Sequence, residues 1–88
     1  MKNKQIKEFL TRLEGPEGCN FRYEKGKGVW NCRQDFYYAR KILRKMEIPK
    51  EERDALIKEC KEHGGHCDCE ILFNAEEHLL SKGKKTRK

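Results

Sequence analysis

The spacing of apolar residues predicts three helices in the first two thirds of the chain. Apolar positions three and four residues apart lie on one face of a helix. Residues 3–14, residues 35–46 and the segment from Pro49 to Gly64 show this spacing, with Asp35 suited to cap the second helix. The predicted buried faces are Ile6, Phe9, Leu10 and Leu13; then Phe36, Ala39, Ile42, Leu43 and Met46; then Leu56, Ile57, Cys60 and His63.

Alternation of apolar and polar residues predicts three strands. Residues 20–32 contain two short strand-like runs around the turn sequence KGKG, a pattern typical of a β-hairpin. Residues 67–73 also alternate and predict a third strand. Its two faces carry Cys67, Cys69, Ile71 and Phe73 and, opposite them, Asp68, Glu70 and Leu72. Asn74 and Glu77 resemble the capping pair of a last short helix.

The predicted order of elements is α-β-β-α-α-β-α. The simplest packing is an α+β fold, with a small three-stranded antiparallel sheet packed with three to four helices. We expect residues 1–80 to form a single α+β domain and residues 81–88 to form a basic disordered tail. A chain of 88 residues buries a small core, so a metal, a disulfide or self-association commonly supports folds of this size.

Charge is unevenly distributed along the chain. The net charge is +6, but residues 81–88 hold five of the 21 basic residues and none of the 15 acidic ones. Residues 1–80 therefore carry a net charge of only +1. Such a tail solvates the chain end or makes a weak contact with a polyanion such as nucleic acid.

The helix predicted at residues 35–46 carries a second basic region. It combines positive charge with stacking surface, as nucleic-acid-binding proteins do. The acidic residues of the next helix can neutralise this face within the fold, so a solvated helix face is the alternative interpretation. The candidate nucleic-acid-binding residues are Arg33, Tyr37, Arg40, Lys41, Arg44 and Lys45.

Targeting signals are not apparent in the sequence. No apolar stretch approaches the ~20 residues that a membrane-spanning helix needs, and the Lys-rich start is not followed by the apolar core of a signal peptide. We therefore expect a cytoplasmic location. There, the five cysteines are more often free thiols or metal ligands than disulfides.

Cysteine and histidine are concentrated in residues 60–69, where the sequence contains Cys60, His63, His66, Cys67 and Cys69. Thiolate and imidazole are the ligands that Zn²⁺ prefers, and a tetrahedral site needs four of them. Cys32 and Cys19, at the two ends of the predicted hairpin, can complete the set if the hairpin pairs beside the third strand. The favoured metal site consists of Cys32, Cys67 and Cys69 with one of His66, His63 or Cys19.

Other interpretations of the cysteines stay open at this point. Cysteine is among the most buried residue types, so these side chains can be inert core thiols, Cys60 in particular. Cys32 can also form a disulfide or redox pair with Cys67 or Cys69, and His66 can serve a cysteine nucleophile as base. No residue is assigned a catalytic role, and the sequence favours a binding module over an enzyme.

Four segments, RLEGPEGCN, VWNC, ARKIL and GGHCDCEILFN, together resemble the small prokaryotic proteins grouped as the domain of unknown function 2695 family. The resemblance covers about residues 9–75. The positions that match the family pattern are Trp30, Cys32, Gly64, Gly65, Cys67, Asp68, Cys69, Glu70 and Asn74, whereas His66 stands where an aromatic residue is usual. The resemblance implies a shared fold and a shared site, and it implies no activity.

The sequence therefore predicts a small metal-binding module of structural or regulatory role, with zinc as the expected metal. One alternative is a protein that binds nucleic acid or an acidic partner through helix 35–46 and the tail. The other is a thiol redox protein centred on Cys67 and Cys69. We expect no membrane partner.

Overall fold

A computed structural model of the protein describes the backbone of residues 1–82 and the side chains of residues 1–81. Residues 83–88, most of the predicted tail, lie outside the described residues. The elements are α1 (Asn3–Glu14), β1 (Arg22–Glu24), β2 (Lys27–Val29), α2 (Tyr37–Lys45), α3 (Lys50–Glu62) and α4 (residues 68–82). Helix α4 is continuous but changes pitch, with α-helical Asp68–Glu70, π-helical Ile71–Ala75 and α-helical Glu76–Lys82.

The three helices predicted from apolar spacing are present, and the faces they present to the core are close to those predicted. Helix α1 packs against α2 and α4, and α4 also contacts α3. His63 differs from the prediction because α3 ends at Glu62, which leaves the imidazole exposed. The buried apolar residues of the three helices are Ile6, Phe9, Leu10, Leu13, Ala39, Ile42, Leu43, Leu56, Ile57 and Cys60.

The predicted hairpin is also present. Strands β1 and β2 pair antiparallel, with Arg22 opposite Val29. The two turn residues, Lys25 and Gly26, have φ values of 54° and 80°, as two-residue hairpin turns require. The hairpin lies at the surface, and Tyr23 is 85% exposed.

The predicted third strand is wrong, and with it the three-stranded sheet. Cys67 is extended (φ −157°, ψ 175°), but the chain becomes helical at Asp68. The alternating pattern placed Asp68 on the strand face opposite Cys67, Cys69 and Ile71, but this side chain is fully buried, as Ile71 is. Once it counts as an inward position, Asp68, Ile71, Ala75 and Leu79 are three or four residues apart and form the buried stripe of a helix. The fold is therefore α+β with a two-stranded antiparallel sheet and four helices.

No helix within residues 1–82 is both long enough and apolar enough to cross a membrane.

Candidate metal centre

Three cysteine sulfur atoms meet where the loop after the hairpin passes the start of α4. The Sγ atom of Cys32 lies 3.0 Å from that of Cys69 and 3.5 Å from that of Cys67, and the latter two are 3.4 Å apart. Cys67 and Cys69 are buried and Cys32 is half-buried. Within the described chain, this is the one group of three or more Cys, His, Asp or Glu ligand atoms that all lie within 4.8 Å of one another. We call it the three-cysteine cluster.

The start of α4 brings Cys67 and Cys69 to the same point. Cys67 is the extended residue that precedes the helix, and its carbonyl accepts the N–H of Ile71 at 3.0 Å. Cys69 lies in the first helical turn, and both thiols reach the sulfur of Cys32. The sequence predicted neighbouring thiols on a strand; the thiols are neighbours, but a helix start places them.

Asp68 connects the cluster to α2. Its two carboxylate oxygens accept the N–H groups of Tyr38 and Ala39, each at 2.9 Å, and its own N–H donates to the carbonyl of Asp35 at 2.8 Å. Burial raises the pKa of Asp68, while the two N–H donors act in the opposite direction. The first N–H groups of a helix have no acceptor within the helix. For two of those groups in α2, the acceptor is the carboxylate of Asp68, about 30 residues later in the chain. The predicted position of Asp68 on a strand, opposite Cys67 and Cys69, is therefore wrong.

Asp35 contributes less to the start of α2 than predicted. Its Oδ1 accepts the N–H of Tyr37 at 3.0 Å, but Phe36 occupies the N-cap position. The sequence suggested a local cap, and the structure divides the capping between a local and a distant carboxylate.

The Gly-Gly turn sets the approach of α3 to α4. Gly64 has a φ of 88°, which glycine adopts without strain, and its carbonyl accepts the side-chain amide of Asn74 at 2.9 Å. A Cβ atom on Gly65 would lie 3.1 Å from Cα of Ile71 and 3.2 Å from the carbonyl oxygen of Cys60. Asn74 thus ties α4 to the end of α3, and the predicted capping pair with Glu77 is wrong.

The three thiols differ in how readily they ionise. Burial opposes ionisation of Cys32, but hydrogen bonds to its sulfur from the Cys69 thiol, the Gln34 N–H and the Cys67 thiol lower its pKa overall. Burial raises the pKa of Cys67 and of Cys69. The Cys67 and Cys69 thiols thus favour a thiolate at Cys32 through their hydrogen bonds to its sulfur.

A cleft of about 370 Å³ opens beside the cluster and is lined by Gln34, His66 and Glu70 as well as by the three cysteines. The Glu70 carboxylate accepts the backbone N–H of His66 at 3.1 Å. The predicted strand would have directed Glu70 away from the cysteines, which is wrong. Helical spacing from Cys67 to Glu70 is the signal that could have identified this residue.

The other two predicted fourth ligands lie elsewhere. Cys19 is fully buried outside the cluster, and burial, followed by the charge of Asp68, raises its pKa to about 12. The ring of His63 stacks on that of His78 with 3.5 Å between centroids, and His78 Nε2 lies 2.7 Å from a carboxylate oxygen of Glu59. Of the predicted histidines, His66 alone is a lining residue of the cleft.

Cys60, the residue predicted to be a core thiol, is fully buried on α3, and burial raises its pKa to about 12. Its thiol therefore belongs to the core and lies outside the three-cysteine cluster.

The predicted basic surface on α2 is partly neutralised within the fold. Arg40 lies 3.8 Å from Asp54 of α3, and Lys45 lies 3.8 Å from Glu17. The Arg33 guanidinium lies 4.5 Å above the ring of Tyr37, and the Lys41 ammonium is 5.9 Å from it. Arg44 is exposed.

The geometry of the three-cysteine cluster suits a thiophilic metal ion. Sulfur ligands about 2.3 Å from zinc in a tetrahedral site lie about 3.8 Å from one another. The observed separations of 3.0 to 3.5 Å mean that the sulfur atoms must move apart by about 0.3 to 0.8 Å, most of all those of Cys32 and Cys69. Oxidation to a disulfide would use two of the three sulfurs and leave the third without a role.

The fold and this cluster define a small α+β domain with a three-cysteine candidate metal site. The chain belongs to the DUF2695 family, described as proteins of unknown function, whose model matches residues 24–74, more than half of the chain. The family resemblance predicted from the sequence is thereby confirmed. The matched range contains Cys32, Cys67 and Cys69 and ends at Asn74, and it leaves out the RLEGPEGCN segment with Cys19. No curated protein and no solved structure gives a significant match to the chain.

Proposed function

We propose that this protein is a small metal-binding module of structural or regulatory role, with zinc as the metal. The observation that carries the proposal is the contact of three thiols from two segments that are far apart in sequence, Cys32 and the pair Cys67 and Cys69. Zinc sites combine thiolate and imidazole ligands, and a metal would engage all three sulfurs.

His66 is the fourth ligand that we favour, because it lines the cleft beside the sulfurs. Zn²⁺ with three thiolates carries a charge of −1, which a neutral imidazole leaves unchanged. Glu70 lines the same cleft, but its carboxylate would bring the charge to −2 in a partly buried site, which is less favourable. A site closed by His66 would be structural, whereas a site with a fourth position open to the cleft could exchange a regulatory ligand.

Titration of the reduced, metal-free protein with cobalt(II) tests the proposal. We expect one ion per chain, with thiolate-to-cobalt charge-transfer absorption and displacement by zinc. Losing a residue that merely supports a metal ligand costs about 10- to 100-fold in affinity, so Cys32→Ser and Cys69→Ser should cost more. Cys60→Ala is the matched control, since Cys60 lies outside the cluster.

The fourth ligand is tested in the same titration. His66→Ala should weaken cobalt binding and alter the spectrum more than Glu70→Gln does. Charge-transfer absorption that is missing from the wild-type protein, or that is equal in wild type and Cys69→Ser, would contradict the proposal.

A further inference from the structure

A cluster of aromatic side chains lies on the surface beside the hairpin. The rings of Phe21, Trp30 and Phe73 are in mutual contact, with centroids 5.2 to 5.6 Å apart. Trp30 is 41% exposed and Phe73 is 56% exposed. Large apolar side chains rarely gather on the surface of a protein unless they contact something.

Two adjoining grooves share Phe21, Phe73 and Glu14 as lining residues. One continues along α4 past Leu72 and Glu76, and the other runs along the hairpin past Trp30 and the exposed Tyr23. We call the combined surface the aromatic groove; its lining residues in this argument are Glu14, Phe21, Tyr23, Trp30, Phe73 and Glu76.

The charged residues of the aromatic groove have an acidic excess. Glu14 and Glu76 form no side-chain hydrogen bond or ion pair with any other described residue. Burial, and then the charge of Glu14, raises the pKa of Glu76, so the two carboxylates are close enough to repel each other. Arg22 also lines the groove, but its guanidinium already bonds to Glu24 and to the carbonyl of Asn20.

Exposed aromatic rings beside unpaired carboxylates form a surface that is complementary to a cation. The faces of Trp, Tyr and Phe rings attract ammonium and guanidinium groups, most strongly for Trp. Carboxylates next to the rings add a direct charge interaction, and apolar ring surface accommodates the methylene stems of Lys and Arg. Nucleic acid, in contrast, would be repelled by the two acids.

We propose that the aromatic groove binds a partner's basic peptide segment through its arginine or lysine side chains. The rings of Trp30 and Phe73 contact the cationic group and its stem, while Glu14 and Glu76 supply the opposite charge. The aromatic groove shares no lining residue with the cleft beside the three-cysteine cluster.

Fluorescence of Trp30 measures this binding directly, because it is the single tryptophan of the chain. The probe is a tetra-arginine peptide with blocked ends, and a blocked tetra-glutamate peptide is its control. With the full chain, we expect tetra-arginine to change the emission saturably. The binding should weaken as salt is added, because salt screens charge interactions. We expect tetra-glutamate to leave the emission unchanged.

Variants of the groove separate specific binding from general attraction. Glu14→Gln with Glu76→Gln should weaken tetra-arginine binding about fivefold or more, and Phe73→Ala should do the same. The matched control, Glu51→Gln with Glu62→Gln, removes equal charge from exposed sites on α3 and should leave binding unchanged. Circular dichroism confirms that each variant is folded.

Three outcomes would overturn the proposal. One is an emission that tetra-arginine does not change saturably, and another is equal weakening by the groove pair and the control pair. The third is that another occupant fills the groove. Emission that depends on protein concentration would assign it to a second copy of the chain. Peptide binding that appears only after Lys84, Lys85, Arg87 and Lys88 are replaced by alanine would assign it to the chain's own C-terminal segment.

Discussion

Asp68 is the residue through which the three-cysteine cluster is fixed to the core. It lies between Cys67 and Cys69, and its carboxylate holds the first N–H groups of α2. A buried carboxylate in the place of a neutral cap adds favourable charge at the positive end of the helix. Asp68 therefore joins the segment that carries both thiols to α2 through hydrogen bonds that neither thiol makes.

Replacement of Asp68 should destabilise the fold. Asp68→Ala leaves two buried N–H donors without partners, and we expect a loss of about 2–4 kcal/mol in the free energy of unfolding. Asp68→Asn keeps one acceptor oxygen and should lower the free energy of unfolding by less. Urea denaturation measures both, with the exposed Glu62→Ala as control; equal losses for Asp68→Ala and Glu62→Ala would show that this cap does not stabilise the fold.

At the scale of elements, the Gly-Gly turn after α3 packs directly against the π-helical segment of α4. Gly65 lies against the backbone of Ile71, and Asn74 binds the carbonyl of Gly64. A π-helical turn inside an α-helix shifts the residues that follow it around the helix axis. In α4 it lies between Cys69, which joins the cluster, and Leu79, which joins the core.

Gly65→Ala should disturb this contact. The added methyl group would meet two backbone atoms at 3.1 and 3.2 Å, and backbone cannot move aside as a flexible side chain can. We expect a loss of about 1–3 kcal/mol in the free energy of unfolding. Gly28→Ala in the exposed hairpin is the matched control, since the nearest atom would be 3.9 Å away. Comparable denaturation midpoints for the two variants would contradict the expected close contact.

At the scale of the molecule, a small core makes a bound metal a substantial part of the total stability. Free zinc at about 100 times its dissociation constant would add about 2.7 kcal/mol. For a domain of this size, that corresponds to a rise in melting temperature of about 10 to 20 °C. Thermal melts with zinc and with a chelator measure this rise in melting temperature. The Cys60→Ala variant should show the same rise as the wild-type protein.

The rise in melting temperature that zinc causes should depend on pH. Zinc holds the cysteines as thiolates, so their pKa values in the metal-bound protein lie below those of the unfolded chain. The stabilisation is therefore present at about pH 8 and is lost as the pH falls to about pH 5. Because burial raises the pKa of Cys67 and Cys69 in the metal-free protein, binding must displace their protons. A zinc-induced shift in melting temperature that is equal at both pH values would contradict thiolate ligation.

Local sequence patterns determined much of this protein. The spacing of Ile6, Phe9, Leu10 and Leu13 predicted α1 with its observed bounds, and KGKG predicted the hairpin turn. These elements could be predicted because helical and hairpin periodicity depends on residues a few positions apart. The sequence also singled out Cys32, Cys67 and Cys69 as a group, through residue type and family resemblance.

Tertiary structure decided the conformation of the segment that follows Cys67 and the surroundings of the cluster. Asp68 becomes an inward-facing helix residue because its partners, Tyr38 and Ala39, come from another helix about 30 residues earlier. The same long-range packing places His66 and Glu70 at the cleft and brings Trp30 against Phe73. Local periodicity carries no information about such contacts, because they exist only after distant segments have packed together.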